Sequence, residues 1–202
     1  MDVKPGSIAD SMLLTPRLRL VAPDVRLASA LADFQTRNRD HLAPWEPPLG
    51  DGFFTEPGQV ERLLHGASAF AAGTGYRYLL LPIGDPSRVI GSVEFSNIAR
   101  GPFQSCALGY ALDHALEGQA LMTEALRGAI GEMFSPRVNL HRIQAAYRPE
   151  NGRSAEVLKR LGFHDEGLAP DYLFINGQWR THRLASLHNA AFVLPTAWQA
   201  VS

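Results

Sequence analysis

Around Gly118 the chain sets small residues between an apolar run, residues 104–112, and a helical pattern that begins at Leu121. Backbone N–H groups at a helix start have no intrahelical partners, and the helix dipole is positive there, so such a turn suits a phosphate. The donors would be main-chain groups of Glu117, Gly118, Gln119, Ala120, Leu121 and Met122. No Gly-Lys-Ser/Thr follows and the spacing is not Gly-x-Gly-x-x-Gly, so this is neither a triphosphate loop nor a dinucleotide fingerprint. A glycine turn before a helix is more often only a turn, and the reading needs company. Glu94 interrupts the apolar run 90–95, and local alternation leaves open whether it faces solvent or a cleft. Asn151 is placed to cap a short helix, with Ser154 in its first turn. The one cysteine, Cys106, reads as a packed core thiol rather than a nucleophile. No spaced His/Cys set suggests zinc, and no metal is expected.

The elements that must position these groups belong to an ordinary globular chain. It has 202 residues, 46% hydrophobic and 19% charged, which suits one domain with a sizeable core. The net charge of −1 gives no reason to expect nucleic acid. One cysteine allows no internal disulfide, and residues 1–11 lack the apolar stretch of a signal peptide. A cytoplasmic protein without a membrane span is expected. The tail 1–11 reads as flexible, 12–190 as a single domain, and 191–202 as a C-terminal tail that docks on a neighbour or on its own sheet.

Residues 13–22 predict a first strand. Pro23-Asp24 starts a helix with Leu27, Ala30, Leu31 and Phe34 on one face. A Pro/Gly-rich loop over 38–52 carries Trp45 and Glu46, and Thr55 caps a second helix with Val60, Leu63 and Leu64 inward. Strands follow at 76–83, 89–96 and 104–112. The helix from Leu121 has Met122, Ala125, Leu126, Ala129, Ile130 and Met133 on one face and stops at Pro136. A strand over 141–147, a short helix with Ala155, Leu158 and Leu161 inward, and strands from Phe163 through the Asn176-Gly177 hairpin complete the chain. The order implies a mixed α/β fold whose sheet is partly antiparallel, with parallel pairing at the two helical crossovers.

Several segments agree with one family. They are Asn38-Arg39-Asp40-His41-Leu42-Ala43-Pro44-Trp45-Glu46-Pro47, the run 95–103, the turn Ala115-x-x-Gly118-x-Ala120, and Leu121-Met122-Thr123-Glu124-Ala125-Leu126. After these come His141-Arg142-Ile143, Pro149-x-Asn151-x-x-Ser154, Leu161-Gly162-Phe163, and Tyr172 to His182. Taken in order over about 13–187, the chain resembles the RimJ/RimL branch of the GNAT superfamily, the ribosomal-protein N-terminal acetyltransferases. The turn resembles that family's Gln/Arg-x-x-Gly-x-Gly/Ala pyrophosphate motif, with Ala115 departing at the first position.

The resemblance implies a twisted, mostly antiparallel mixed sheet (α/β, α+β) splayed at its centre, with helices on both faces and acetyl-CoA in the cleft. It implies direct attack of an amine on the acetyl-CoA thioester, needing a neutral amine, oxyanion stabilisation and a protonated leaving thiol. Residues 117–122 would hold the pyrophosphate. Leu108, Tyr110 and Leu112 would offer free strand backbone to the pantetheine arm. Asn151, Arg153 and Ser154 complete the cofactor side, with Arg148 and Arg153 either meeting phosphates or solvated. The tyrosine that protonates the thiolate in many relatives is Leu158 here, so Ser154 or a water replaces it. Glu94 would take a proton from the amine or orient its ammonium. Asn38, His41 and Trp45 border the acceptor, while Tyr172 and Trp179 pack and His182 and His188 have no chemistry. The acceptor implied is a protein or peptide N-terminal amine. A small amine (amino acid, polyamine, antibiotic) is the alternative, and a non-catalytic acyl-CoA sensor a third reading. Neither nucleic acid nor membrane is an expected partner, and the chain would be a monomer or homodimer.

Overall fold

The computed structural model describes residues 12–199. The expected N-terminal tail, 1–11, lies outside them, as do 200–202. The elements are β1 (Leu13–Leu14), β2 (Leu18–Val21), α1 (Ala28–Arg37), α2 (Arg39–Leu42), α3 (Glu56–Ala72), β3 (Tyr76–Pro82), β4 (Gly91–Ala99) and β5 (Ser105–Leu112). After them come α4 (Leu121–Phe134), β6 (Arg142–Tyr147), α5 (Gly152–Arg160), β7 (His164–Ile175), β8 (Gln178–His188) and α6 (Thr196–Gln199). The strands form one eight-stranded sheet in the order β1-β2-β3-β4-β5-β6-β8-β7. Only β5 and β6 pair parallel, across the α4 crossover. No helix among the described residues is long and apolar enough to cross a membrane.

Helices cover both faces, and the sequence shows why. β3 carries three consecutive leucines, and a strand buried on both sides reads as an unbroken apolar run. Leu80 and Tyr78 enter the core with Val93, Phe95, Leu126 and Met133, while Leu79 and Leu81 pack on Leu31, Phe34 and Leu63 of α1 and α3. The six expected inward residues of α4 are all buried. Each large apolar side chain removed from water there contributes about 2 kcal/mol.

The local signals hold at the caps. Thr55 Oγ1 accepts from Gly58 N–H at 3.3 Å, and Asn151 Oδ1 accepts from Ser154 N–H at 3.0 Å. Asn176 and Gly177 both have left-handed backbone, φ 46° and 75°, as a two-residue hairpin turn requires.

Three expectations are corrected. Residues 13–22 make two short paired strands, because Pro16 falls between them and Thr15 bonds back to Leu18. Leu64 is 57% exposed, since the face of α3 that meets α1 runs through Val60 and Leu63. The second crossover does not give parallel neighbours: the hairpin folds β8 back between β6 and β7. At the C-terminal end, Asn139 holds Val193 through two hydrogen bonds, 2.8 and 3.1 Å, so this stretch lies on the chain's own surface.

Candidate active site

The parallel pairing of β5 and β6 runs from Ser105↔Arg142 to Leu108↔Ala145 and stops. Beyond it Gly109–Leu112 keep β4 as partner on one side, and Ala146 and Tyr147 keep β8 on the other. The sheet splits between them, and a cavity of about 820 Å³ fills the opening. Leu108, Tyr110 and Leu112 line it, leaving strand backbone along one wall without a ladder partner.

The N-terminus of α4 faces this cavity. Gly118 and Ala120 take left-handed φ of +76° and +59°. No side chain caps the helix, and the first main-chain bond into it runs from Glu124 N–H to Ala120 C=O at 3.0 Å. The preceding N–H groups are therefore available to an anion. Thr123 Oγ1 is buried in the same wall with no partner, which fits a ligand bearing acceptor oxygens. Glu124 braces the turn from outside by accepting from Thr15 Oγ1 (2.6 Å), Arg17 N–H (2.8 Å) and Arg17 Nε (2.7 Å). Burial pushes the Glu124 carboxyl up, but those bonds outweigh it and hold it below its ordinary value. Arg17 also donates to the Gln119 carbonyl at 3.1 Å. Gln119 itself points outward and is not part of the cavity wall. An Ala at position 118 would carry left-handed backbone at a cost of about 1 kcal/mol. Gly118→Ala is expected to raise the KM for acetyl-CoA about fivefold with kcat little changed, checked by steady-state kinetics.

Ser154, on the first turn of α5, meets Tyr110 of β5: hydroxyl to hydroxyl is 2.6 Å. Burial pushes the Tyr110 phenol up to about 12, more than its bond to Ser154 pulls it down. It stays protonated at neutral pH and can re-supply a proton that Ser154 gives away. Sequence reasoning assigned Tyr110 only its backbone and noted a missing tyrosine at Leu158. Folding brings in a different tyrosine, from a neighbouring strand.

At the rim His41, Glu117 and Arg153 come together. Glu117 lies 3.3 Å from His41 Nε2, 3.6 Å from His114 Nδ1 and 2.5 Å from Arg153 Nη1. The sequence shows no spaced metal-ligand set, yet His41, His114 and Glu117 place one ligand atom each within 4.8 Å of one another. The Arg153 guanidinium already holds that carboxylate.

Another stretch of the cavity wall is formed by Trp45, Glu46, Arg62, Arg77, Glu94 and His182. Glu94 points into the cavity, which settles the face that alternation left open, and forms an ion pair with Arg77 opposite it in register. Glu46 has no ion-pair partner among the described residues. Burial raises its carboxyl above the ordinary value, against the pull of Arg62 and Arg77. Burial and the charge of Arg77 push Arg62 down to about 10, still cationic at neutral pH. Arg148 lies 5.4 Å over the Trp45 ring and donates to the Pro44 carbonyl at 2.8 Å, so it is a brace rather than a solvated charge. The Glu46 carbonyl accepts from Asn176 N–H at 2.9 Å, tying this loop to the hairpin. Asn38 is 1% exposed and does not reach the cavity; its amide donates to Phe34 C=O and accepts from His114 N–H, both at 2.9 Å. It holds α1 against the turn that leads to Gly118.

Residues 17–164 match the Acetyltransferase (GNAT) domain family. The chain belongs to the GNAT acetyltransferases. It is 41% identical over 175 residues to the [Ribosomal protein uS5]-alanine N-acetyltransferase of Escherichia coli, covering 87% of this chain and 89% of that one. Among solved structures, the ribosomal-protein-S5-alanine acetyltransferase of Vibrio fischeri superposes with a TM-score of 0.85 at 37% identity, over 91% of this chain and 99% of that one. Mycobacterium smegmatis RimJ, in complex with CoA-disulfide, does so with 0.81 at 27%, over 94% and 91%. As a GNAT enzyme this protein is an acetyl-CoA-dependent N-acetyltransferase, and the split sheet is where the family's fold opens. The uncapped helix, the free β5 edge and unpartnered Thr123 fit the cosubstrate's pyrophosphate and pantetheine arm. Thr123, Arg62 and Arg77 were not singled out from the sequence, Glu46 was named only as part of its loop, and His182 was read as having no chemistry. Thr123, Glu46 and His182 stood inside segments that resembled the family.

Proposed function

We propose that this enzyme acetylates the N-terminal amine of a protein beginning with alanine, a ribosomal protein of the uS5 type being the leading acceptor. The observation that carries the reading is the 41% identity, over nearly the full length of both chains, with an enzyme named for that acceptor. A second groove of about 550 Å³ shares Arg62, Arg77 and Glu94 with the main cavity and continues between α3 and β4, offering room for residues that follow the reacting amine. A protein acceptor made on ribosomes places the enzyme in the cytoplasm.

In this reading the main-chain N–H groups of residues 118–122 hold the pyrophosphate, the Glu117 N–H being already bonded to the His114 carbonyl at 3.3 Å, with Asn151 and Arg153 beside the arm. A free N–H of the β5 edge can hold the thioester oxygen, where hydrogen-bond donation lowers the barrier. Ser154 gives a proton to the departing sulfur, backed by Tyr110. Glu94, already engaged by Arg77, orients the incoming ammonium, and Trp45 and His41 border it.

The test is mass analysis of products from a panel: an Ala-initiated peptide of the uS5 type, the same peptide initiated by Ser or blocked at its amine, amino acids and polyamines. Acetyl is expected on the Ala α-amine, with kcat/KM at least tenfold above the Ser peptide and the small amines. A free small amine preferred over every peptide would reverse the assignment.

A further inference from the structure

His182 stands on β8, one position beyond the stretch that pairs with β6. Ala185 and its register partner Ala145 both enter the core with α4. Side chains alternate along a strand, so His182, three residues away, faces the opposite side, where the Trp45 loop closes the cavity. It is only 4% exposed and lines that cavity. Its Nδ1 lies 2.9 Å from the Arg180 carbonyl oxygen. A carbonyl can only accept, so Nδ1 carries the proton of that bond, and the neutral ring then presents its lone pair at Nε2. Nε2 has no hydrogen-bond partner among the described residues. The Tyr172 ring, 5.9 Å away between centroids, packs against the imidazole.

An imidazole held by one nitrogen through a carbonyl and offering the other to a reaction cavity is arranged as a proton acceptor. Of the carboxylates at this end, Glu94 is paired with Arg77, and Glu46 is raised by burial against the smaller pull of Arg62 and Arg77.

We infer that His182 Nε2 is the group that takes the proton from the incoming amine. The amine arrives as an ammonium ion. Nε2 removes one N–H proton, and the ring becomes an imidazolium still bonded through Nδ1 to Arg180. The freed nitrogen pair forms the C–N bond to the thioester carbonyl carbon, and the carbonyl electrons move to oxygen. On their return the C–S bond breaks with its pair on sulfur, which takes the Ser154 hydroxyl proton. The nitrogen's second proton replaces the one Ser154 lost, through Tyr110 or water. The imidazolium proton passes to solvent, so each turnover releases one proton. The inference rests on amine acetylation and not on which amine is acetylated.

The experiment compares His182→Ala and His182→Asn with the parent enzyme, using both the Ala-initiated peptide and whichever small amine turns over fastest. The Asn variant keeps an N–H able to reach the Arg180 carbonyl but has no Nε2 base. Both variants are expected to lose about 100-fold in kcat, with the KM for acetyl-CoA and the CoA-induced thermal shift unchanged. Added imidazole is expected to restore turnover to the Ala variant in proportion to its free-base form. Parental kcat in His182→Asn would overturn the assignment, as would a loss in the Ala variant that imidazole does not relieve. Turnover by the parent on small amines alone would remove the N-terminal reading and leave the His182 comparison intact.

Discussion

Ser154→Ala is expected to lower kcat about 100-fold while leaving the KM for acetyl-CoA and the thermal midpoint nearly unchanged. The serine's main-chain N–H, not its hydroxyl, receives the Asn151 cap, so α5 keeps its N-terminus in the variant. What is lost is the side-chain hydroxyl held against Tyr110 at this point of the cavity. A general acid positioned on a leaving group is worth about 10²–10⁴ in rate. The lower end is expected because water can enter the space vacated by Oγ. Tyr110→Phe keeps the ring and removes the proton behind Ser154, and about a tenfold loss is expected. The double variant should fall short of the product of the two, because the residues act in one chain of proton transfer. Parental kcat in Ser154→Ala, measured by thiol release, would mean that the sulfur is protonated from elsewhere.

Asp113 carries the largest expected effect on stability. Its side chain is 4% exposed and accepts from Arg37 Nε at 2.9 Å and Arg88 Nη2 at 3.2 Å, while its Oδ1 accepts from Ala115 N–H at 3.1 Å. One carboxylate thus ties α1 and the β3–β4 connection to the start of the phosphate-binding turn. Asp113→Ala removes the acceptor of three hydrogen bonds and leaves Arg37 only its Asp33 and Val89 partners; losing hydrogen bonds to a charged group costs about 2 kcal/mol. That predicts a clear drop in the unfolding midpoint and weaker acetyl-CoA binding. The same carboxylate has a pH signature. Burial pushes it up, but the bonds from Arg37, Ala115 and Arg88 outweigh that and hold its folded value below the ordinary 3.8. Above 3.8 the carboxylate is charged in both states and its stabilisation is complete. As pH falls through the lower folded value the stabilisation is lost. Denaturant titrations below pH 4 should show a steeper decline in the parent than in Asp113→Ala.

Much of the molecule was legible before folding because its signals are local. The αL turn at Gly118, the caps at Thr55 and Asn151, the Asn176-Gly177 hairpin and the buried stripe of α4 depend on neighbours within a few positions, and each stands where its spacing puts it. The uncapped start of α4 was readable for the same reason: its free backbone donors are set by the local run of residues. Leu64 and the second crossover were misread because both depend on which element packs alongside, and periodicity does not say.

The sequence by itself determined the element order, the mixed sheet, the glycine turn into α4 and the resemblance to an acetyltransferase family. Tertiary structure decided which side chains meet. Tyr110 and Ser154 are 44 positions apart, Arg37 and Asp113 are 76, and Arg148 reaches Pro44 across 104. The face of Glu94 was fixed only when Arg77 came into register opposite it, and His182 entered the cavity only because β8 folds back beside β6. Such meetings follow from strand register and from how two layers of helices close on the sheet. A one-residue shift in register would send the strand residues Tyr110, Glu94 and His182 to the other face. Backbone chemistry is written in short runs of residues, whereas side-chain chemistry is assembled by the fold.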